Sequence, residues 1–132
     1  MDLVVDTSAV LAVLLEEPER EVLIQLTTGA TLCVPPSVPW EVGNALSALV
    51  RRRLLTRAHA RRVVRSFEAI PLETVGIDLE RAVDLASAHG LYAYDGYLLE
   101  AARTRRAPLL TLDRALRRAA ARVGLSIVEV PS

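Results

Sequence analysis

Four acids stand where a strand or loop gives way to a helix: Asp6, Glu41, Asp95 and Asp113. Asp6 follows the apolar run Leu3-Val4-Val5, and Asp113 follows Leu109-Leu110-Thr111-Leu112. Glu41 lies beside the apolar stripe Val42–Leu46–Leu49 and is turned partly inward. Asp95 sits within Tyr92-Ala93-Tyr94-Asp95-Gly96-Tyr97, an apolar setting where a lone carboxylate is costly. Each acid also has an ordinary structural role open to it. Asp6, Asp95 and Asp113 could cap helices, and Glu41 could complement the dipole of its own helix. Converging in one cleft, four carboxylates would repel one another and hold protons more tightly unless a cation neutralised them. Oxygen-only ligands of this kind suit Mg²⁺ or Mn²⁺. Such an ion generates hydroxide near neutral pH and stabilises charge on a phosphoryl oxygen. The chemistry implied is in-line hydrolysis of a phosphodiester.

Geometry sets the other candidates aside. Asp2 lies four residues before Asp6, about 13 Å away along an extended strand, and so belongs to the wrong end. Glu100 falls on a different side of its helix from Asp95 and reads as a surface or supporting group. His59 reads as a surface residue and His89 as a partner of a helix C-terminus. Cys33, the one cysteine, reads as a small buried hydrophobe; alone it can form neither an intrachain disulfide nor a cysteine-based zinc cluster. Trp40 is equally compatible with core and with cleft wall.

The elements that must position the four acids alternate strand and helix. Strands are expected at Leu3–Val5, Thr31–Val34, Thr74–Ile77, Leu109–Leu112 and Ile127–Val130. Helices are expected over Ala9–Leu15, from Pro18 to Gly29, and from an N-cap at Ser37 through Val50. Further helices follow over Arg57–Phe67, with Val63, Val64 and Phe67 inward, over Leu79–His89 closed by Gly90, from Asp95 to about Arg106, and over Arg114–Val123. Near-continuous apolar strands with intervening helices describe an α/β fold, a mostly parallel sheet covered on both faces. In such sheets functional groups gather beyond the carboxyl ends of the strands, where strand order reverses.

The 132 residues fit one domain spanning 1–132, 52% hydrophobic and 24% charged, a globular balance. The N-terminus lacks the positive region of a signal peptide, and no apolar stretch is long enough to cross a membrane. A cytoplasmic protein is expected. The net charge is zero, yet all 16 basic residues are Arg and they are clustered. Residues 51–66 carry seven Arg and no acid, and 101–132 carry seven Arg against two acids. Arg57, Arg61 and Arg65 fall on one helical line that could guide the phosphates of RNA, or could simply be a solvated face.

Asp6-Thr7-Ser8, Glu41-Val42-Gly43-Asn44-Ala45-Leu46, Tyr94-Asp95-Gly96-Tyr97-Leu98 and Leu110-Thr111-Leu112-Asp113 together resemble the PIN-domain family. More narrowly, they are similar to the VapC-type ribonuclease toxins of type II toxin–antitoxin pairs. The resemblance runs along essentially the whole chain. It implies a three-layer α/β/α fold around a five-stranded sheet of order 3-2-1-4-5. It also implies that Asp6, Glu41, Asp95 and Asp113 gather Mg²⁺ or Mn²⁺ for RNA cleavage, with Thr7, Ser8 and Thr111 orienting carboxylates and waters. Gly96 departs from the bulkier small residue common there, which puts the rigidity of that helix turn in doubt. A small VapB-like antitoxin and a homodimer or toxin–antitoxin hetero-oligomer are the partners implied. Other Asp-centred folds fail on residues: there is no Lys for a receiver or a P-loop, and Ser8 replaces the second acid of an Asp-x-Asp phosphatase. A catalytically silent binding module and a housekeeping nuclease of the same fold remain the alternatives.

Overall fold

A computed structural model describes residues 1–131; Ser132, the last residue of the expected domain, lies outside the described residues. Leu3, Val4 and Val5 are apolar on both faces of the backbone, as a central parallel strand requires, and they form β1 (Asp2–Val5). It is flanked by β2 (Thr31–Val34) and β4 (Leu109–Leu110), with β3 (Leu72–Thr74) outside β2. All pairings are parallel, in the order β3-β2-β1-β4, with Val4 opposite both Cys33 and Leu109.

Among the described residues, seven helices connect and flank the strands: α1 (Thr7–Leu14), α2 (Arg20–Thr27), α3 (Val38–Arg51), α4 (Arg57–Glu68), α5 (Leu79–Ala88), α6 (Ala93–Arg105) and α7 (Arg114–Arg122). Alternation along the strands divides the core in two. Val4, Cys33 and Leu109 join residues of α6 and α7 in one cluster. Val5, Val34 and Leu110 join residues of α1, α2, α3 and α4 in the other.

Among the described residues, the sheet has four strands rather than the expected five. Ile127 forms only an isolated parallel bridge to Leu109, held by Leu109 N–H to the Ser126 carbonyl and Val128 N–H to the Leu109 carbonyl, both 2.9 Å. The cause is the brevity of β4. After Leu110 the chain turns to present Thr111 and Asp113, so no further ladder is available to a neighbour. The third strand also lies earlier than expected, at Leu72–Thr74, and Val75 adds one more hydrogen bond to Val34 before the chain leaves the sheet at Gly76. On α4, Val63 and Phe67 face the core, one turn apart, whereas Val64 is exposed. Gly90 closes α5 at φ +63°, a conformation glycine adopts without strain.

Glu100 is buried, not on the surface. Arg103, one turn along α6, donates Nε to Oε1 at 2.7 Å and Nη2 to Oε2 at 2.9 Å. Those bonds, reinforced by the guanidinium charge and a backbone hydrogen bond from Asp78, outweigh burial and hold the Glu100 carboxyl below the ordinary glutamate range. A folded-state pKa below the unfolded one stabilises the fold above the unfolded value, and that contribution fades as acid passes through the folded value. Glu100→Gln is therefore expected to cost about 1–3 kcal/mol near neutral pH. Urea titrations should show the gap from wild type closing as pH falls below 4.5. A gap that stays constant across that range would remove the ion pair as its cause. Among the described residues, no helix is long and apolar enough to cross a membrane.

Candidate functional site

The four junction acids lie in first turns or caps of helices, at or beyond the carboxyl ends of β1, β2 and β4. Asp6 is the N-cap of α1 and accepts from Ala9 N–H at 3.0 Å. Only 5% of it is exposed. Asp113 caps α7, its Oδ1 accepting from Ala115 N–H at 2.9 Å and Leu116 N–H at 3.1 Å. Asp95 lies inside the first turn of α6, whose N-cap is Tyr92, so its carboxylate is not used as a cap. Glu41 occupies the first turn of α3. Ser37, expected to cap that helix, instead donates Oγ to Glu41 Oε2 at 2.8 Å and makes no capping bond.

Asp6 is the most tightly held of the four. Ser8 Oγ donates to its Oδ1 at 2.7 Å and Thr111 Oγ1 donates to its Oδ2. Each hydroxyl also accepts a backbone N–H, from Leu112 to Ser8 at 3.1 Å and from Asp113 to Thr111 at 3.0 Å. Two hydroxyls thus fasten the β1–α1 and β4–α7 junctions together. Arg117, one turn beyond Asp113, adds a further tie by donating Nη2 to the Thr111 carbonyl at 3.0 Å. The i, i+4 spacing of Asp113 and Arg117 was the only sequence signal for it.

Burial pushes the Asp6 carboxyl above the ordinary aspartate range despite hydrogen bonds from Thr111, Ala9 and Ser8, and the charge of Asp113 adds to the rise. Burial also raises Glu41, against the hydroxyls of Ser37 and Thr7, with the charges of Asp6 and Asp95 adding to it. Asp95 is raised by burial, then by the charges of Asp113 and Asp6, with no hydrogen bond opposing them. These charge effects link Asp6 with Asp113, Glu41 with Asp6 and Asp95, and Asp95 with Asp113 and Asp6, at the carboxyl end of the sheet. Among the described residues, no three of them close into a ready-made metal cage.

The donor set nonetheless fits a small hard cation. Burial, with a smaller contribution from neighbouring negative charge, makes three of the carboxylates resist ionising, and a divalent ion would relieve both effects. Mg²⁺ retains several waters and needs only one or two direct carboxylates, so an open arrangement suits it. The hydroxyl of Thr7 lies beside Glu41, buried and without a hydrogen-bond partner of ordinary geometry. Such an orphaned group gains a partner when a hydrated ion arrives.

The arginine line lies elsewhere. Arg57, Arg61 and Arg65 are exposed on α4; Arg61 and Arg65 edge a groove floored by Gly43, Leu46 and Val50 of α3. None of the four carboxylates lines that groove.

A parallel α/β sheet with acids set beyond its strand ends defines the class of molecule, and the sequence supplies the family. Residues 3–122 match the family model described as PIN domain, and the chain belongs to the PIN-domain family, a family of nucleases. No curated protein matches the sequence. Among solved structures, it is similar to PAE2754 from Pyrobaculum aerophilum, at 23% identity and TM-score 0.73, over 90% of this chain and 79% of that one. VapBC2 from Rickettsia felis, bound to a DNA fragment from its promoter, matches at 16% identity and TM-score 0.68, over 98% of both chains. VapC20 from Mycobacterium tuberculosis, a toxin that cleaves the sarcin-ricin loop, matches at 12% identity and TM-score 0.66, over 96% of this chain and 98% of that one. At these identities the likeness concerns the fold.

Proposed function

We propose that this chain is a metal-dependent endoribonuclease, working as one domain in the cytoplasm, and the toxin of a toxin–antitoxin pair. The observation that carries the reading is the placement of Asp6, Glu41, Asp95 and Asp113 in caps and first turns of helices at the carboxyl end of the sheet, within reach of one another's charge, in a member of a nuclease family. A protein that only held a partner would gain nothing from crowding four like charges. A neighbouring fold that occurs in a toxin–antitoxin complex from Klebsiella pneumoniae supports the toxin role and a small antitoxin as partner. An antitoxin that places a cation in the acidic cleft would silence it, and a homodimer is the expected free state.

Asp6, Glu41, Asp95 and Asp113 would hold Mg²⁺ or Mn²⁺, which supplies positive charge for the phosphoryl oxygens and acidifies a water. The protein's part is to keep the donors in place. Ser8 and Thr111 fix both oxygens of Asp6, while Ala115 and Leu116 occupy only Oδ1 of Asp113 and leave Oδ2 free. Ser37 likewise holds one oxygen of Glu41. Donors already fixed in the free protein need little rearrangement as charge builds on the phosphate.

The test is cleavage of pooled cellular RNA by the purified chain in Mg²⁺ or Mn²⁺ and in EDTA. Discrete cleavage products that vanish with EDTA are expected. RNA left intact in both metals, with no metal-induced rise in melting temperature, would overturn the reading.

A further inference from the structure

Next to Asp6, on the face of the sheet that carries α1 and α2, lies a partly open cavity of about 190 Å³. Val5, Ala9, Val10, Leu23 and Leu110 wall it, and all five are more than nine-tenths buried. Thr27 is its one polar side chain among the described residues, and that hydroxyl already donates to the Leu23 carbonyl at 2.8 Å. An ordered water needs several polar partners, which this wall does not offer. An apolar cavity of about 150 Å³ is already large enough to stay dry and to bind benzene. Four of the wall residues also hold Asp6. Val5 precedes it in β1. Ala9 N–H donates to its Oδ1 at 3.0 Å, and Val10 N–H donates to its carbonyl at 3.2 Å. The Asp6 N–H in turn donates to the Leu110 carbonyl at 3.2 Å, and Leu110 leads into Thr111, which donates to Asp6 Oδ2.

We propose that this cavity is a binding site for a small apolar molecule, about one aromatic ring in size, whose occupancy steadies Asp6 and raises cleavage. The effect on cleavage rests on reading the four acids as a ribonuclease centre; the binding site itself does not. Atoms that face an empty cavity lack packing partners on that side, and a ligand of matching shape supplies them. The hydrogen bonds from the wall to Asp6 then open less often, because the ligand binds only the closed arrangement. A docked helix or a second copy of this chain is a poorer occupant. Such a partner needs an apolar surface around the mouth to cover. Among the described residues, none of the large apolar side chains left exposed lines this cavity.

The probe is benzene, titrated into the isotopically labelled chain and followed by NMR at methyl and amide groups. Saturable shifts are expected at the methyl groups of Val5, Val10, Leu23 and Leu110. Glycerol, a polar molecule with as many heavy atoms, should produce none. Saturating benzene should slow amide exchange at Ala9 and Val10 about fivefold or more, and in Mg²⁺ should raise cleavage of pooled RNA by a similar factor. Val13→Phe puts a ring into the same cavity and should weaken benzene binding about tenfold or more. Where that variant fails to fold, the wild-type titration decides. Methyl groups that ignore benzene, in a chain that cleaves RNA, overturn the binding site and leave the nuclease reading standing. Saturable binding by a chain that cleaves no RNA upholds the site and overturns the nuclease reading. Binding that leaves exchange at Ala9 and Val10 unchanged overturns the steadying of Asp6. Methyl shifts that follow protein concentration instead of benzene assign the cavity to an interface between copies and overturn the proposal.

Discussion

Asp113→Asn is expected to reduce metal-dependent RNA cleavage by about a hundredfold or more while leaving the protein folded. The magnitude follows from removing one ligand charge from an ion that contributes several kcal/mol to the transition state, at about 1.4 kcal/mol per tenfold. The structural cost is small because Asn caps helices as well as Asp does. Its side-chain oxygen can keep the bonds from Ala115 and Leu116, which now use Oδ1 alone. In EDTA the variant should melt at or slightly above wild type, since Asp6 and Asp95 both lose a repelling neighbour. Adding Mn²⁺ should raise the wild-type melting temperature as a ligand binding only the folded state does, with a smaller rise in the variant. Asp113 is a sharper probe than Asp6, where the amide of an Asn would face the hydroxyls of Ser8 and Thr111 in a buried position. Single-turnover cleavage within about threefold of wild type would remove Asp113 from the ligand set.

Much of this was readable from the chain because the signals are local. Leu3-Val4-Val5 must be a strand buried on both sides, and the acid at its carboxyl end must then lie where such sheets place their chemistry. The same reasoning fixes Asp113 after Leu109-Leu110. What could not be read depends on which elements meet. The charge of Glu100 is equally compatible with a surface and a supporting position, and the choice depends on α5, which packs on α6, and on Arg103, which folds back to meet the carboxylate. Ser37 has the composition of a cap, and its hydroxyl is drawn instead to Glu41. Ile127–Val130 has the composition of a strand, but a ladder needs a partner, and β4 ends after two residues. The four acids were legible as candidates, while their mutual electrostatics required the fold.

Gly96 reverses an expectation in a way that stability measurements can detect. A helical glycine exchanged for alanine usually gains up to about 1 kcal/mol, and the sequence suggested that this one merely loosens its turn. The structure shows instead that α6 approaches α5 closely at this point. A Cβ on Gly96 would run into the backbone carbonyl oxygen of Ala82 and stand 3.1 Å from Ala86 Cβ. The obstruction is backbone, so no rotamer change relieves it, and the two helices must separate. Gly96→Ala is therefore expected to destabilise by about 1–3 kcal/mol, the usual cost of overpacking. Because Asp95 is the preceding residue, the same shift moves a carboxylate of the cleft, and cleavage should fall with stability. Gly43 provides the opposite case: it also lies within a helix, α3, but a Cβ there meets nothing within 4 Å. Gly43→Ala should stabilise by up to about 1 kcal/mol. Urea midpoints that move in opposite directions for the two variants, at an unchanged slope, establish the close approach as the cause. A rise in midpoint for both would mean that α5 and α6 have room for a methyl group, and that Gly96 does not set the position of Asp95.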